Sequence, residues 1–137
     1  MNIRNEVITI KENLINWRRD FHQYPELSFE EYLTSEKIGD YLKSMGLNPK
    51  MKVGKTGVIA DISWGSGPTI ALRADMDALP IQEKTGLPYA SSVKAKNKDN
   101  IEVPVMHACG HDMHMACLLY TSPSPRDDPL SRMPSSA

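Results

Sequence analysis

Apolar residues recur at helical spacing along the first part of the chain and predict two helices. A first helix is predicted between residues 3 and 20. Its single buried stripe consists of Ile3, Val7, Ile10, Leu14 and Trp17. Pro25 interrupts this pattern, because the residue before a proline is biased away from helix. Ser28 and Glu31, three residues apart, form a capping-box pattern that predicts the start of a second helix, and Gly46 predicts its end.

The apolar pattern then changes to that of strands. Short strands are predicted at residues 52–53, 57–63 and 103–106. Residues 69–74 form a near-continuous apolar run, which is typical of a strand covered on both faces. The polar stretch 82–100 is interpreted as an irregular loop. This order of helices, strands, loop, strand and a further helix predicts an α/β sandwich.

The composition and charge are those of one ordinary globular domain. Apolar residues make up 40% of the 137 residues, charged residues 24%, and the formal net charge is -1. This balance lacks the basic surface that nucleic-acid binding requires. The sequence also shows neither a signal peptide nor an apolar run of membrane-spanning length. We therefore expect a cytoplasmic protein without nucleic-acid or membrane partners.

The composition changes near the C-terminus, where residues 121–137 hold five serines and four prolines without periodicity. Such a segment ordinarily indicates a disordered tail. Residues 117–127 also resemble the translation of a transposase sequencing adapter, and residues 131–137 that of a flow-cell segment. We therefore interpret residues 117–137 as a non-native, adapter-derived and disordered tail that follows a natural domain at residues 1–116. A genuine Ser/Pro tail is the alternative.

The strongest chemical signal is segment 107–114 (HACGHDMH), which holds three histidines, one cysteine and one aspartate within eight residues. Thiolate and imidazole are ligands for first-row transition metals. On an extended backbone, Cys109 and His111 would face the same side, and Gly110 between them permits unusual backbone angles. Asp112 could orient an imidazole through its second nitrogen. We interpret the segment as a metal site; a turn of polar residues without a ligand is the alternative.

Two further segments carry candidate chemistry. Asp75 and Asp77 follow the apolar run 69–74, at the end of a strand where ligands bind in open α/β sheets. This pair could orient metal ligands, or it could simply mark a strand exit, since aspartate favours turns. Segment 18–28 (RRDFHQYPELS) contains His22, whose side chain we interpret as packing at the end of the first helix.

Segments 18–28, 73–81 (RADMDALPI) and 107–114 together closely resemble the metal-dependent aminoacylase/carboxypeptidase superfamily. The match is to its amidohydrolase branch of hippurate hydrolases, N-acyl-amino-acid deacylases and auxin-conjugate hydrolases, and it extends over residues 17–116. The resemblance implies the N-terminal part of a zinc-peptidase-like α/β/α sandwich catalytic domain. Residues 1–116 would then form a partial, truncated metallohydrolase catalytic domain.

The same resemblance implies roles for individual residues. Cys109 and His111 would ligate the metal centre, and Asp77 would be the catalytic carboxylate beside it. The centre would hold two divalent metal ions, with zinc or manganese as the expected metals and cobalt or nickel as further options. We expect Cys109, His111 and a carboxylate of Asp75 or Asp77 to converge on one pocket. The resemblance leaves four residues without a role: His22, Asp75, His107 and His114.

The implied reaction is metal-dependent hydrolysis of the amide bond of N-acyl amino acids or related small conjugates. The metals would lower the pKa of a shared water, and a glutamate would accept its proton. In the family this glutamate, further metal ligands and a lid domain that often forms a dimer come later in the full-length protein. We therefore expect a homo-oligomeric full-length enzyme and an inactive chain of 137 residues.

Two other interpretations of segment 107–114 stay open. In a cysteine hydrolase, Cys109 would be a nucleophile with His107 or His111 as its base, and no metal would be needed. In a non-enzymatic α/β module, Cys109 and the three histidines would close a structural zinc site with no open position.

Overall fold

The computed structural model describes residues 5–63 and 66–121 of the chain. In order, its elements are α1 (Asn5–Gln23), α2 (Tyr32–Ser44), β1 (Lys50–Val53), β2 (Gly57–Ile59), β3 (Lys94–Lys96), β4 (Glu102–Pro104) and α3 (His111–Thr121). This mixture of helices and short strands confirms the predicted α/β class.

Both predicted N-terminal helices are present, and they pack with α3 around one core. α2 ends just before Gly46, whose φ of 82° is the positive value that a helix-ending glycine adopts. Trp17 of α1 and Tyr41 of α2 lie at the margin of the core with ring centroids 5.3 Å apart. The buried apolar members of the core are Phe21, Ile38, Leu42, Met115 and Leu119. The helical period of the sequence therefore identified the helices correctly.

The start of α2 differs from the predicted capping box of Ser28 and Glu31. Glu31 occupies the N-cap position without a side-chain bond to the first turn. Its buried carboxylate accepts hydrogen bonds from the Phe29 N–H at 2.9 Å and the Thr56 hydroxyl at 2.6 Å. Glu26 satisfies the helix instead, because its carboxylate accepts two N–H groups of the first turn at 3.1 and 2.7 Å. The Glu26 carboxylate, which lies in the loop before α2, thus takes the place of an N-cap side chain.

The strands form two separate antiparallel pairs in the described part of the chain, β1 with β2 and β3 with β4. β3 lies within the stretch that was interpreted as an irregular loop, and that interpretation was wrong at Lys94–Lys96. Three residues are too few to show a period, so only the pairing with β4 reveals this strand. Isolated bridges join Leu27 to Ala78 and Leu79 to Met106.

The predicted strand at residues 69–74, expected to be covered on both faces, is not formed. Its backbone has no ladder partner among the described residues. Ile70 is 81% exposed and Leu72 is 67% exposed. An apolar run indicates burial only where other segments cover it, and the described residues provide no such cover. The prediction was therefore wrong for this chain, although the run remains apolar.

α3 continues past the predicted end of the natural domain at residue 116. The helix runs to Thr121, so the first residues of the predicted tail are helical. Leu119 is buried in the core, whereas Cys117 is exposed. The rest of the predicted tail, residues 122–137, lies outside the described residues. The predicted disorder was therefore wrong at residues 117–121, whereas the origin of the tail and the disorder of residues 122–137 stay predictions.

Candidate metal centre

The candidate ligands lie on the short segment between Met106, which forms the second isolated bridge with Leu79, and the start of α3. The N–H groups of Leu79 and Met106 each donate to the other residue's carbonyl oxygen at 3.0 Å. The backbone then turns at Gly110, whose φ of 89° lies in the left-handed region that favours glycine. A Cβ atom at Gly110 would meet no neighbouring atom, so backbone conformation rather than crowding favours glycine here. His111 follows as the first residue of α3.

His111 is held by Asp77 from the other side of the bridge. Its Nδ1 lies 2.8 Å from the Asp77 backbone carbonyl oxygen and 3.2 Å from the Asp77 carboxylate oxygen Oδ1. Because a carbonyl oxygen only accepts, Nδ1 carries the proton and Nε2 keeps its lone pair. Nε2 has no hydrogen-bond partner among the described residues. A histidine with one nitrogen fixed in this way and the other available has the usual arrangement of a metal ligand.

Cys109 does not join this contact. Its thiol is free and exposed. The described residues contain no group of three or more His, Cys, Asp or Glu side chains placed to hold a metal ion. His111 and Asp77 meet as expected, whereas the expected approach of Cys109 to them is not found among the described residues. The physical reason is that α3 begins at His111, so the extended backbone that would align the two side chains ends before it.

Asp75 pairs with Arg73 and not with a histidine. The Arg73 Nε and Nη2 atoms donate to Asp75 Oδ1 at 3.0 and 2.6 Å. These hydrogen bonds and the charge of Arg73 lower the pKa of Asp75, with smaller contributions from His111 and His114. The rings of those two histidines lie 5.9 Å apart between centroids. Of the two candidate aspartates, Asp77 is thus the one that contacts His111.

His107 lies in the interior and is only 4% exposed. Both of its ring nitrogens are buried without a hydrogen-bond partner among the described residues. Burial lowers the pKa of His107 to about 4, and the nearby Asp112 carboxylate only partly opposes this shift. His107 is therefore a neutral ring near neutral pH, with a donor and an acceptor that its surroundings leave unsatisfied.

A buried charged network lies beside the candidate ligands. His22 is 3% exposed; its Nδ1 lies 2.8 Å from Asp112 Oδ2, and its Nε2 lies 3.1 Å from Glu83 Oε1. Arg18 Nε lies 2.9 Å from the same Asp112 oxygen, as an ion pair without hydrogen-bond alignment. His22 is thus packed at the end of α1 as interpreted, but both of its nitrogens have carboxylate partners.

Glu83 is the member of this network that the sequence interpretation missed. Its carboxylate also accepts from the Thr85 hydroxyl at 2.5 Å and from the Ser91 N–H at 2.6 Å. Burial by itself raises the pKa of Glu83, but these hydrogen bonds and the one from His22 outweigh it and lower the pKa overall. Glu83 lies in a polar stretch without periodicity, so no local signal distinguishes it from exposed neighbours.

Fold and site together define an α/β protein with a candidate transition-metal centre, and comparisons with known proteins agree. Residues 71–121 match the model of Peptidase family M20/M25/M40. An N-acetyl-L-cysteine deacetylase of Bacillus subtilis is 54% identical over 81% of this chain and 25% of its own length. A hippurate hydrolase of Campylobacter jejuni is 42% identical over 87% of this chain and 29% of its own.

A solved structure shows the same relationship in three dimensions. A dinuclear metal-binding peptidase of the M20 family from Bacillus subtilis superposes with a TM-score of 0.70 at 47% identity. The overlap covers 81% of this chain and 29% of that one. Over these residues the chain is similar to Peptidase family M20/M25/M40, which confirms the resemblance seen in its three motifs. It spans about a quarter of the length of the curated relatives that it matches.

Proposed function

We propose that this chain is part of a metal-dependent amidohydrolase that cleaves the amide bond of N-acyl amino acids or similar small conjugates. The observation that carries the proposal is the contact of His111 with Asp77, which leaves Nε2 available as a ligand. The relatives named as a deacetylase and a hippurate hydrolase support an N-acyl amino acid as the substrate class. The related peptidase described as dinuclear supports two divalent ions, with zinc or manganese as our first choice.

Individual residues take the following roles in this proposal. His111 binds metal through Nε2, and Cys109 binds as a thiolate. Cys109 is exposed and is separated from His111 only by Gly110, so a metal ion held by His111 would need only a local change of the backbone or side chain to reach the thiolate. Asp77 keeps the proton of His111 on Nδ1, which fixes the tautomer and the orientation of the ring.

The metal ions supply Lewis acidity, which lowers the pKa of a water and polarises the scissile carbonyl. His111 and Cys109 would hold metal on the side of this chain, and Asp77 would orient the His111 ring. A general base is still required to accept the proton and return it to the leaving amine. We assign that base to a glutamate outside this chain, and we expect the 137-residue chain to be inactive alone.

The setting of the full-length enzyme is also a proposal. None of the helices in residues 5–63 and 66–121 is long and apolar enough to cross a membrane. We propose a cytoplasmic homo-oligomer that binds small molecules and has no nucleic-acid partner, in keeping with the net charge of -1.

A chimera tests the proposal directly. Residues of this chain replace the matching segment of the Bacillus subtilis N-acetyl-L-cysteine deacetylase, and hydrolysis of N-acetyl and N-benzoyl amino acids is measured. We expect turnover that a chelator abolishes, and Cys109→Ala should lower metal content and rate together. Cys117→Ala is the matched control, because Cys117 is also exposed but lies farther along α3. Full activity after exhaustive metal removal would refute the proposal.

The same chimera separates the alternatives. Turnover without metal, together with covalent trapping of Cys109, would support the cysteine hydrolase. One tightly bound zinc ion without turnover, lost on replacing any of the three histidines of segment 107–114, would support the structural module.

A further inference from the structure

The buried network around His22 connects three parts of the chain that are distant in sequence. His22 lies near the end of α1, Glu83 follows the first isolated bridge, and Asp112 is the second residue of α3. Their separations along the chain are 90 residues for the pair with Asp112 and 61 residues for the pair with Glu83. His22 is therefore a cross-link between elements and not a local cap.

The hydrogen bonds define how His22 makes this cross-link. Ionised carboxylates only accept hydrogen bonds, so Nδ1 donates to Asp112 and Nε2 donates to Glu83. Arg18 Nη2 lies 3.5 Å from the same Nδ1, but the 2.8 Å contact with Asp112 is much shorter and sets the direction. The ring thus bridges two buried carboxylates, with one on each of its nitrogens.

Aromatic contacts hold the ring in place. The Tyr89 ring lies edge-on to His22 with centroids 5.8 Å apart. The guanidinium groups of Arg18 and Arg19 lie 5.4 and 4.9 Å from the Tyr89 ring centre. α1 and the loop that carries Glu83 and Tyr89 thus enclose His22 from two sides, and the ring has little freedom to leave Asp112.

Asp112 connects the restrained His22 ring to the candidate metal centre. It is 1% exposed and is bonded through the peptide to His111, the first residue of α3. The N–H groups of Met113 and His114 bond back to the Gly110 carbonyl at 3.0 and 3.1 Å, so the turn and the first helical residues form one unit. An Asp112 side chain anchored to His22 therefore fixes the rotation of the helix start that presents His111.

We propose that His22 is a positioning residue of the metal centre, because it anchors Asp112 to Glu83 and so orients the start of α3 that carries His111. This inference rests on the proposed metal-binding function. His22 itself touches no ligand residue; it acts through Asp112. Removing a group that orients a metal ligand from outside the coordination shell typically lowers metal affinity about 10- to 100-fold.

The test uses the chimera with the Bacillus subtilis N-acetyl-L-cysteine deacetylase, and it measures Co²⁺ binding through the thiolate-to-cobalt absorption band together with amide hydrogen exchange in α3. We expect His22→Gln to weaken Co²⁺ binding about tenfold. It should also speed exchange at Met113 and His114 more than in α2. Phe21→Leu is the matched control, because it loosens the neighbouring buried position of α1 without touching the charged network. A merely structural role for His22 would make the two variants alike.

A second variant covers the case in which His22→Gln does not fold. In Glu83→Gln one carboxylate oxygen becomes a donor, so the side chain can satisfy either His22 or the Ser91 N–H but not both. We expect severalfold weaker Co²⁺ binding for this variant. Wild-type affinity in either folded variant would overturn the role of His22. Absence of the band in the otherwise unchanged chimera, or its survival in Cys109→Ala, would refute the proposed ligands, whereas a band and an affinity that His22→Gln leaves unchanged would refute this inference alone.

Discussion

The Nδ1 atom of His111 lies 2.8 Å from the backbone carbonyl oxygen of Asp77 and 3.2 Å from its carboxylate. The backbone contact fixes the tautomer, and the carboxylate adds charge beside the ring. Asp77→Asn keeps the first interaction and removes the charge of the second. We expect this variant of the chimera to bind Zn²⁺ about tenfold more weakly, measured by titration against a competing chelator.

Asp75→Asn is the control for this prediction, because the Asp75 carboxylate is paired with Arg73. Its effect on Zn²⁺ affinity should be clearly smaller. An equal or larger loss in Asp75→Asn would show that the wrong aspartate has been assigned.

The chain alone should show no hydrolysis of N-acetyl or N-benzoyl amino acids. The described residues hold no group of three candidate ligands, whereas metal sites normally need three or four per ion. General acid–base help, typically worth about 100- to 10,000-fold in rate, is also missing in our proposal. Product formation is followed by chromatography with and without added Zn²⁺ or Mn²⁺. Turnover by the purified chain that Cys109→Ala abolishes would contradict this prediction.

The metal-free chain should lose stability as the pH falls from 6.5 toward 4. The unfolded His107 ring takes up a proton near pH 6.5, whereas burial lowers its pKa in the folded chain to about 4. The unfolded state therefore binds more protons in this window, and the loss amounts to about 3 kcal/mol at most. Urea unfolding at a series of pH values, in the presence of a chelator, measures it.

The matched variant is His107→Leu, which removes the titrating ring and two unsatisfied polar atoms. It should flatten the pH dependence between 4.5 and 6.5, the range between the ordinary carboxyl and imidazole pKa values. At neutral pH its stability should equal or exceed that of the original chain, since replacing an unsatisfied polar group by an apolar one of similar size is often favourable. An unchanged pH profile would exclude His107 as the cause.

Leu119 should contribute to stability although it lies within the predicted tail. Its side chain is 5% exposed and packs with Phe21, Ile38, Leu42 and Met115. Leu119→Ala should lower the free energy of unfolding by about 2–4 kcal/mol. Cys117→Ala, at an exposed position of the same helix, should have little effect. Equal stabilities in chemical denaturation would show that α3 does not pack on the core beyond residue 116.

The exposed run at residues 69–74 should make the chain associate. Ile70 and Leu72 present 81% and 67% of their surface to solvent. The double variant Ile70→Thr, Leu72→Thr should bind less of a hydrophobic dye and remain monomeric at higher concentration in light scattering. Its unfolding free energy should change little, because neither side chain is buried. Val105→Thr, at a site only 1% exposed, should instead destabilise the chain.

The sequence by itself determined the local elements and the family. The helical period located α1 and α2, and Gly46 marked the end of α2 at the positive φ that the structure shows. Three ordered motifs identified the relationship to the amidohydrolase branch from the residues alone. Such features can be recognised in the sequence because periodicity, helix stops and motif spacing each depend on residues close together in the chain.

Only the tertiary structure decided which side chains meet. The contact of His111 with Asp77 joins residues 34 apart, and the bond from His22 to Asp112 joins residues 90 apart. No local pattern encodes such pairs, because they depend on how α1 packs against α3 and where the bridges hold the intervening loop. The same reason explains the error at residues 69–74: hydrophobicity is a property of a segment, whereas burial requires another segment to cover it.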